Sequence, residues 1–103
     1  MQEAVTLALS MINSRTRVDL SNDPMLSMAL TRCLEILGEA ASRISSEARL
    51  EFPEIPYGNM ISMRNRLIHA YFDVDLDIVW TTVSEDLPGL LPILTAALAQ
   101  DSR

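Results

Sequence analysis

Residues 23–44 read Asp23-Pro24-Met25-Leu26-Ser27-Met28-Ala29-Leu30-Thr31-Arg32-Cys33-Leu34-Glu35-Ile36-Leu37-Gly38-Glu39-Ala40-Ala41-Ser42-Arg43-Ile44, and their apolar spacing decides the fold. Asp23 is a good N-cap, and Pro24 suits the first helical position, where its missing N–H costs nothing. Leu26, Leu30, Cys33, Leu37, Ala40 and Ile44 step by 4, 3, 4, 3 and 4 along one helical seam. Leu34, Ala41 and Ala48 form a second stripe of smaller residues seven apart. The pattern predicts a helix through about Glu51, on the order of 40 Å long at the usual rise per residue. Two apolar faces exceed what one small core needs. They predict one face packed internally and the other against a second copy, with Gly38 and the small-residue stripe permitting close approach. The alternative is a long helix with one wide core face.

Working outward, Val5, Ala8, Leu9 and Ile12 have helical spacing and predict a first helix over residues 3–13. Asn13 to Ser21 is polar, breaks the period and reads as a connection carrying Arg15, Arg17 and Asp19 as solvated charges. Past the long helix, Phe52-Pro53-Glu54-Ile55-Pro56 is a short extended link, and Pro56 can start the next helix. That helix runs from about Tyr57 to Ile68 or slightly beyond, with Tyr57, Met60, Ile61, Leu67 and Ile68 as its apolar stripe. Asp75 reads as the cap of a fourth helix carrying Ile78, Val79, Trp80, Val83 and Leu87, with Asp77 in its first turn. Pro88 and Pro92 predict a kink or break before a fifth segment with Leu90, Leu91, Leu94, Ala97 and Leu98. No strand pattern and no internal repeat appears. The expectation is an all-α up-and-down bundle of four to five helices around one long central helix, forming a single domain over residues 1–103.

Composition narrows the functional classes. Apolar residues make up 49% of the 103, with only three glycines, so disorder is not expected. No apolar run approaches the roughly 18 residues of a membrane span. Met1-Gln2-Glu3 lacks the basic start of a signal peptide, which predicts a cytoplasmic protein. The lone Cys33 sits among leucines and reads as a buried small hydrophobe. A net charge of −6 argues against broad electrostatic binding of nucleic acid. All eight basic residues are nevertheless Arg, the side chain suited to bidentate phosphate contacts, so a local Arg site is compatible with an acidic surface.

Such a site has one obvious location. Arg64-Asn65-Arg66-Leu67-Ile68-His69-Ala70-Tyr71 holds the only histidine, one of two tyrosines and two of the basic residues. Arg64 falls within the apolar stripe, where an uncompensated charge is costly, so it should pair with Glu35 or Glu39 or line a cleft. Arg64 and His69 lie about 140° apart on an ideal helix, whereas Ser62, Asn65 and His69 share a face. Either the helix ends before His69 or a second chain completes the set. Asp73, Asp75 and Asp77 alternate without converging, and no second histidine exists, so neither metal nor cofactor is expected.

The Arg64 to Tyr71 string resembles the Arg-x4-His-x-Tyr motif of HepT proteins, a branch of the HEPN superfamily. Leu34 to Ala40, Phe52 to Pro56, Phe72 to Trp80 and Glu85 to Pro88 resemble further segments of that family, so the likeness covers nearly the whole chain. The resemblance implies a HEPN-like bundle and a metal-independent endoribonuclease, the toxin of a type II toxin–antitoxin system, paired with a small nucleotidyltransferase (MNT) antitoxin. His69 matches the family's catalytic histidine, as base on the ribose 2′-OH or acid to the leaving 5′-oxygen. Arg64 matches the arginine that stabilises charge on phosphate, and Asn65 matches a polar position able to orient either. Tyr71 matches the tyrosine modified with AMP, which would block the cleft with bulk and negative charge. The implied partners are RNA, a second copy forming a homodimer, and the antitoxin. A reading of another class is a non-catalytic module that docks a nucleotidyltransferase.

Overall fold

Asp23 begins the long helix as expected, accepting a hydrogen bond from the Leu26 N–H at 3.2 Å with Pro24 in the first turn. The computed structural model describes residues 1–69 and 75–101, except for the side chains of residues 68, 69, 100 and 101. Its helices are α1 (Gln2–Met11), α2 (Arg17–Asn22), α3 (Pro24–Ser42), α4 (Ser46–Glu51), α5 (Tyr57–His69), α6 (Leu76–Thr81) and α7 (Leu87–Asp101). Five residues in π conformation, Thr82–Asp86, join the last two. No strand occurs among the described residues. Helix α3 packs along α5 on one side and α1 on another, and α1 also meets α7. The result is an all-α up-and-down bundle around one long helix.

The core explains the apolar spacing. Leu30 and Val5 are fully buried, as are Val79 and Val83 from the last helical run. Cys33 is buried among them, and desolvation pushes its thiol pKa up, so the neutral thiol is favoured. Ellman's reagent at pH 8 is therefore expected to label Cys33 at the rate of global unfolding, and rapid stoichiometric labelling of native protein would contradict its burial.

The second stripe of α3 faces inward, contrary to the two-faced reading. Leu34 is 3% and Ala41 0% exposed, both inside this chain's own core. The wide-core alternative describes this helix, because both stripes are buried and α3 packs against both α5 and α1. Met25, Met28 and Ile36 are the large apolar side chains that α3 leaves exposed.

Three local differences from the sequence pattern have physical causes. First, the polar connection contains α2. Its first turn is closed by Thr16 and Asp19, whose carboxylate accepts from the Thr16 N–H at 2.7 Å, the reciprocal half of a capping box. Second, α3 stops at Ser42, and α4 begins on a new cap where Ser45 Oγ accepts from the Ala48 N–H at 3.1 Å. Arg49 folds back across this break and donates to the carbonyls of Ala41 and Ile44 at 3.2 and 3.1 Å. It also stacks over the Tyr57 ring, 5.3 Å from its centroid. Arg49→Ala should cost about 1.5–3 kcal/mol, the range for hydrogen bonds to charged groups. Urea titration would read this, and a loss below 0.5 kcal/mol would show that the break is held otherwise.

Third, the run from Leu76 continues past both prolines to Asp101. The Leu87 N–H donates to the Thr82 carbonyl, a five-residue step that widens the turn directly before Pro88. A proline ring clashes with the carbonyl four residues back in a regular helix, and the wider turn relieves that clash without ending the helix. Asp75 caps this run as its sequence predicts, accepting from the N–H groups of Asp77 and Ile78. Asp77 also accepts from Arg17 Nε at 2.6 Å, fastening α6 to α2.

Candidate active site

Helix α5 is built from two kinds of residue. Met60 and Leu67 are buried against the bundle, while Ser62, Asn65 and Arg66 are exposed. Arg64 lies between Met60 and Leu67 on the inward side and is half-buried. The cause of this placement is on α3. A β-carbon at Gly38 would overlap Arg64 Cβ outright and come within 2.6 Å of the Met60 carbonyl oxygen and 2.8 Å of Arg64 Cγ. Gly38 is buried in the middle of α3, where glycine costs about 1 kcal/mol relative to alanine. That cost is offset by contact, because only a residue without a side chain lets the turn Met60–Arg64 rest on α3. Gly38 therefore serves a close approach within one chain, whereas its spacing suggested one between copies.

The charges around this turn are distributed unevenly. Arg15 pairs with Asp23 at 3.6 Å, Arg17 with Asp77, Arg32 with Glu35 at 3.4 Å and Arg43 with Glu39 at 2.8 Å. Arg49 is engaged by backbone carbonyls. Glu35 and Glu39, the acids expected beside Arg64, are thus taken by Arg32 of α3 at i−3 and by Arg43 at its C-cap at i+4. Arg64 and Arg66 have no hydrogen bond or ion pair among the described residues, and Arg64 Nε is buried without a partner. Among the described residues, the two arginines with neither a carboxylate nor a carbonyl partner lie in the motif. A guanidinium seated at a helix interface with no carboxylate beside it keeps its full charge for an incoming anion.

His69 is the final residue of α5, so the helix does not end before it. Arg64 and His69 therefore sit on one continuous helix, about 140° apart around its axis and about 7.5 Å apart along it. Asn65 shares the His69 side of α5 by helical spacing and is exposed. Tyr71 and Asp73 lie outside the described residues. Asp77 is committed to Arg17 and Asp75 to capping, so these two carboxylates have structural work. Among the described residues no three His, Cys, Asp or Glu side chains come together.

A groove of about 510 Å³ opens on another side of α5, floored by Leu34, Leu37, Met60 and Met63. Its lining includes Glu54, Glu85 and Asp86 and, among the described residues, no basic one. Three carboxylates repel a phosphodiester backbone, so the groove is a poor RNA path compared with the side bearing Arg64.

Sequence spacing alone did not connect Gly38 or Arg49 with the site region. Signals for both exist: a glycine in the interior of a strongly periodic helix, and an arginine one turn beyond a Ser-Ser cap. Neither identifies its tertiary partner.

The model of the HepT-like family, described as Ribonuclease HepT-like, matches residues 1–97. A protein named probable ribonuclease HepT in Thermococcus cleftensis is 41% identical over 92 residues, covering 85% of this chain and 84% of that one. A protein named as an RNase in Methanocaldococcus jannaschii is 43% identical over 69 residues, 67% of this chain and 63% of its own length. Another named as an RNase in Caldanaerobacter subterraneus is 39% identical over 72 residues, 70% of this chain and 64% of its own length. No solved structure matches the chain. By the extent of the family match and the level of identity, this chain belongs to the HepT-like ribonuclease family.

Proposed function

We propose that this chain is a metal-independent endoribonuclease acting as the toxin of a type II toxin–antitoxin system, with an active site composed across two copies. In this reading Arg64 stabilises charge growing on the phosphate, His69 moves the proton at the 2′-OH or the leaving 5′-oxygen, and Asn65 orients one of them. One observation carries it: Arg64 is seated on Gly38 and has no acid partner among the described residues, while four other arginines are each paired to a carboxylate. The spread of Arg64 and His69 around one helix favours a second copy as the element that closes the site. The resemblance adds a cognate nucleotidyltransferase as antitoxin and Tyr71 as the residue it modifies with AMP.

Purified protein in EDTA is expected to cleave RNA, and Arg64→Ala to lose on the order of 10²–10³ in kcat, the usual effect of removing a charge-stabilising donor. Undiminished cleavage by a folded Arg64→Ala would sink the assignment, and growth arrest on expression of the wild type alone would support the toxin role. Tyr71→Phe is expected to cleave normally yet escape neutralisation by a nucleotidyltransferase and ATP. If Tyr71→Phe is silenced as fully as the wild type, the modification lies elsewhere.

A further inference from the structure

We propose that Gly38 is a positioning residue for Arg64, a role that rests on the ribonuclease reading above. The observations are independent of any motif. Gly38 is buried at the crossing of α3 and α5, and a β-carbon there would collide with Arg64 Cβ and crowd Arg64 Cγ and the Met60 carbonyl. The atoms most crowded are thus the root of the arginine and the α5 turn that carries it. Seated this way, the side chain has its first atoms against α3 and its Nε buried and unpartnered, and among the described residues no carboxylate is bonded to the rest of the guanidinium. A buried Nε–H without an acceptor is costly, and the structure sustains it only while the helix packing holds the arginine in place. The packing limits where the charged end can travel, so the two terminal nitrogens are held ready to receive phosphate oxygens. An arginine anchored at its root presents its charge with little reorganisation when an anion arrives.

Filling the space at position 38 should therefore act on catalysis through Arg64. Gly38→Ala must push α5 away or swing Arg64 aside, because the nearest atoms include backbone and the rigid start of a side chain. Displacement of a catalytic group by about 1 Å costs on the order of 100-fold, and the loss should fall on kcat with KM for a short RNA nearly unchanged. A general loss of packing predicts something different, and Val83→Ala, which trims a fully buried side chain on the π turn, serves as the comparison.

The test combines kinetics with the ¹H–¹⁵N signal of Arg64 Nε–H, assigned by its disappearance in Arg64→Lys. Wild type should show this signal protected from solvent exchange. Gly38→Ala should lose the protected signal and on the order of 100-fold in kcat, while Val83→Ala, though less stable, should keep both within about threefold. Gly38→Ala combined with Arg64→Gly should be no slower than Arg64→Gly alone. A Gly38→Ala protein with wild-type kcat and an intact signal, beside an inactive Arg64→Ala, overturns the positioning role and leaves the ribonuclease reading standing. Full cleavage by Arg64→Ala overturns the ribonuclease reading and the positioning role with it. Should Gly38→Ala not fold, the wild-type spectrum decides, because an Arg64 Nε–H that exchanges freely contradicts the seating.

Discussion

His69→Ala should abolish RNA cleavage, with an expected loss of about 10²–10⁴ in kcat, the span covered by general acid–base catalysis. The chain has a single histidine, so no neighbouring imidazole can take over the proton. The arrangement of α5 makes a second result equally informative. Arg64 and His69 are about 140° apart around one helix, and on the proposed reading one site takes its arginine from one copy and its histidine from the other. A mixture of His69→Ala and Arg64→Ala chains should then regain activity, because a mixed dimer rebuilds one site with the intact Arg64 of one copy and the intact His69 of the other. In a two-fold dimer with random pairing, recovery should reach about a quarter of the wild-type level. No recovery after the copies are unfolded and reassembled together would place both residues in one chain's own site. A folded His69→Ala that cleaves like the wild type would remove the histidine from the chemistry altogether.

The largest expected effect on stability lies in the middle of α3. Leu30 is 0% exposed, surrounded by core contributed from several helices. Leu30→Ala removes three carbon atoms from this packing and leaves a cavity that a helix held on both sides closes only partly. The expected cost is about 2–5 kcal/mol, the range for buried leucine truncation. Urea unfolding followed by circular dichroism should show an earlier midpoint with an unchanged slope. The exposed Met28 on the same helix gives the contrast: at 72% exposure, Met28→Ala should change stability by less than about 0.5 kcal/mol. A strongly destabilised Met28→Ala would mean that the outer face of α3 is covered in solution.

Much of the bundle was legible because helix caps and apolar periods are local. Asp23 with Pro24, and Asp75 before Leu76, mark helix starts through side chains that bond N–H groups two or three residues away. The breaks were less legible. Residues 23–51 keep an apolar pattern that runs across the junction at Ser45, and periodicity registers the pattern but not the competing cap. Thr16 and Asp19 close a turn in a stretch whose composition suggests only a loop. The prolines at 88 and 92 predict interruption, and the π turn at Thr82–Asp86 shows how a helix can absorb one without stopping.

The candidate site divides along the same line. The order of Arg64, Asn65, His69 and Tyr71 along the chain, and the angular divergence of the first and third on a helix, follow from sequence because helical geometry is fixed by backbone hydrogen bonding. Which face of α3 is buried, which acids are already occupied and why neither Glu35 nor Glu39 pairs with Arg64 were decided only in three dimensions. A carboxylate at position 35 or 39 can turn toward either α5 or its own helix, and the short i−3 and i+4 routes to Arg32 and Arg43 are the ones made. A glycine on a periodic helix can serve an approach within the chain or between chains. Only the seating of α5 on Gly38 settles that it is used within, where it brings Arg64 to the bundle with no carboxylate partner among the described residues.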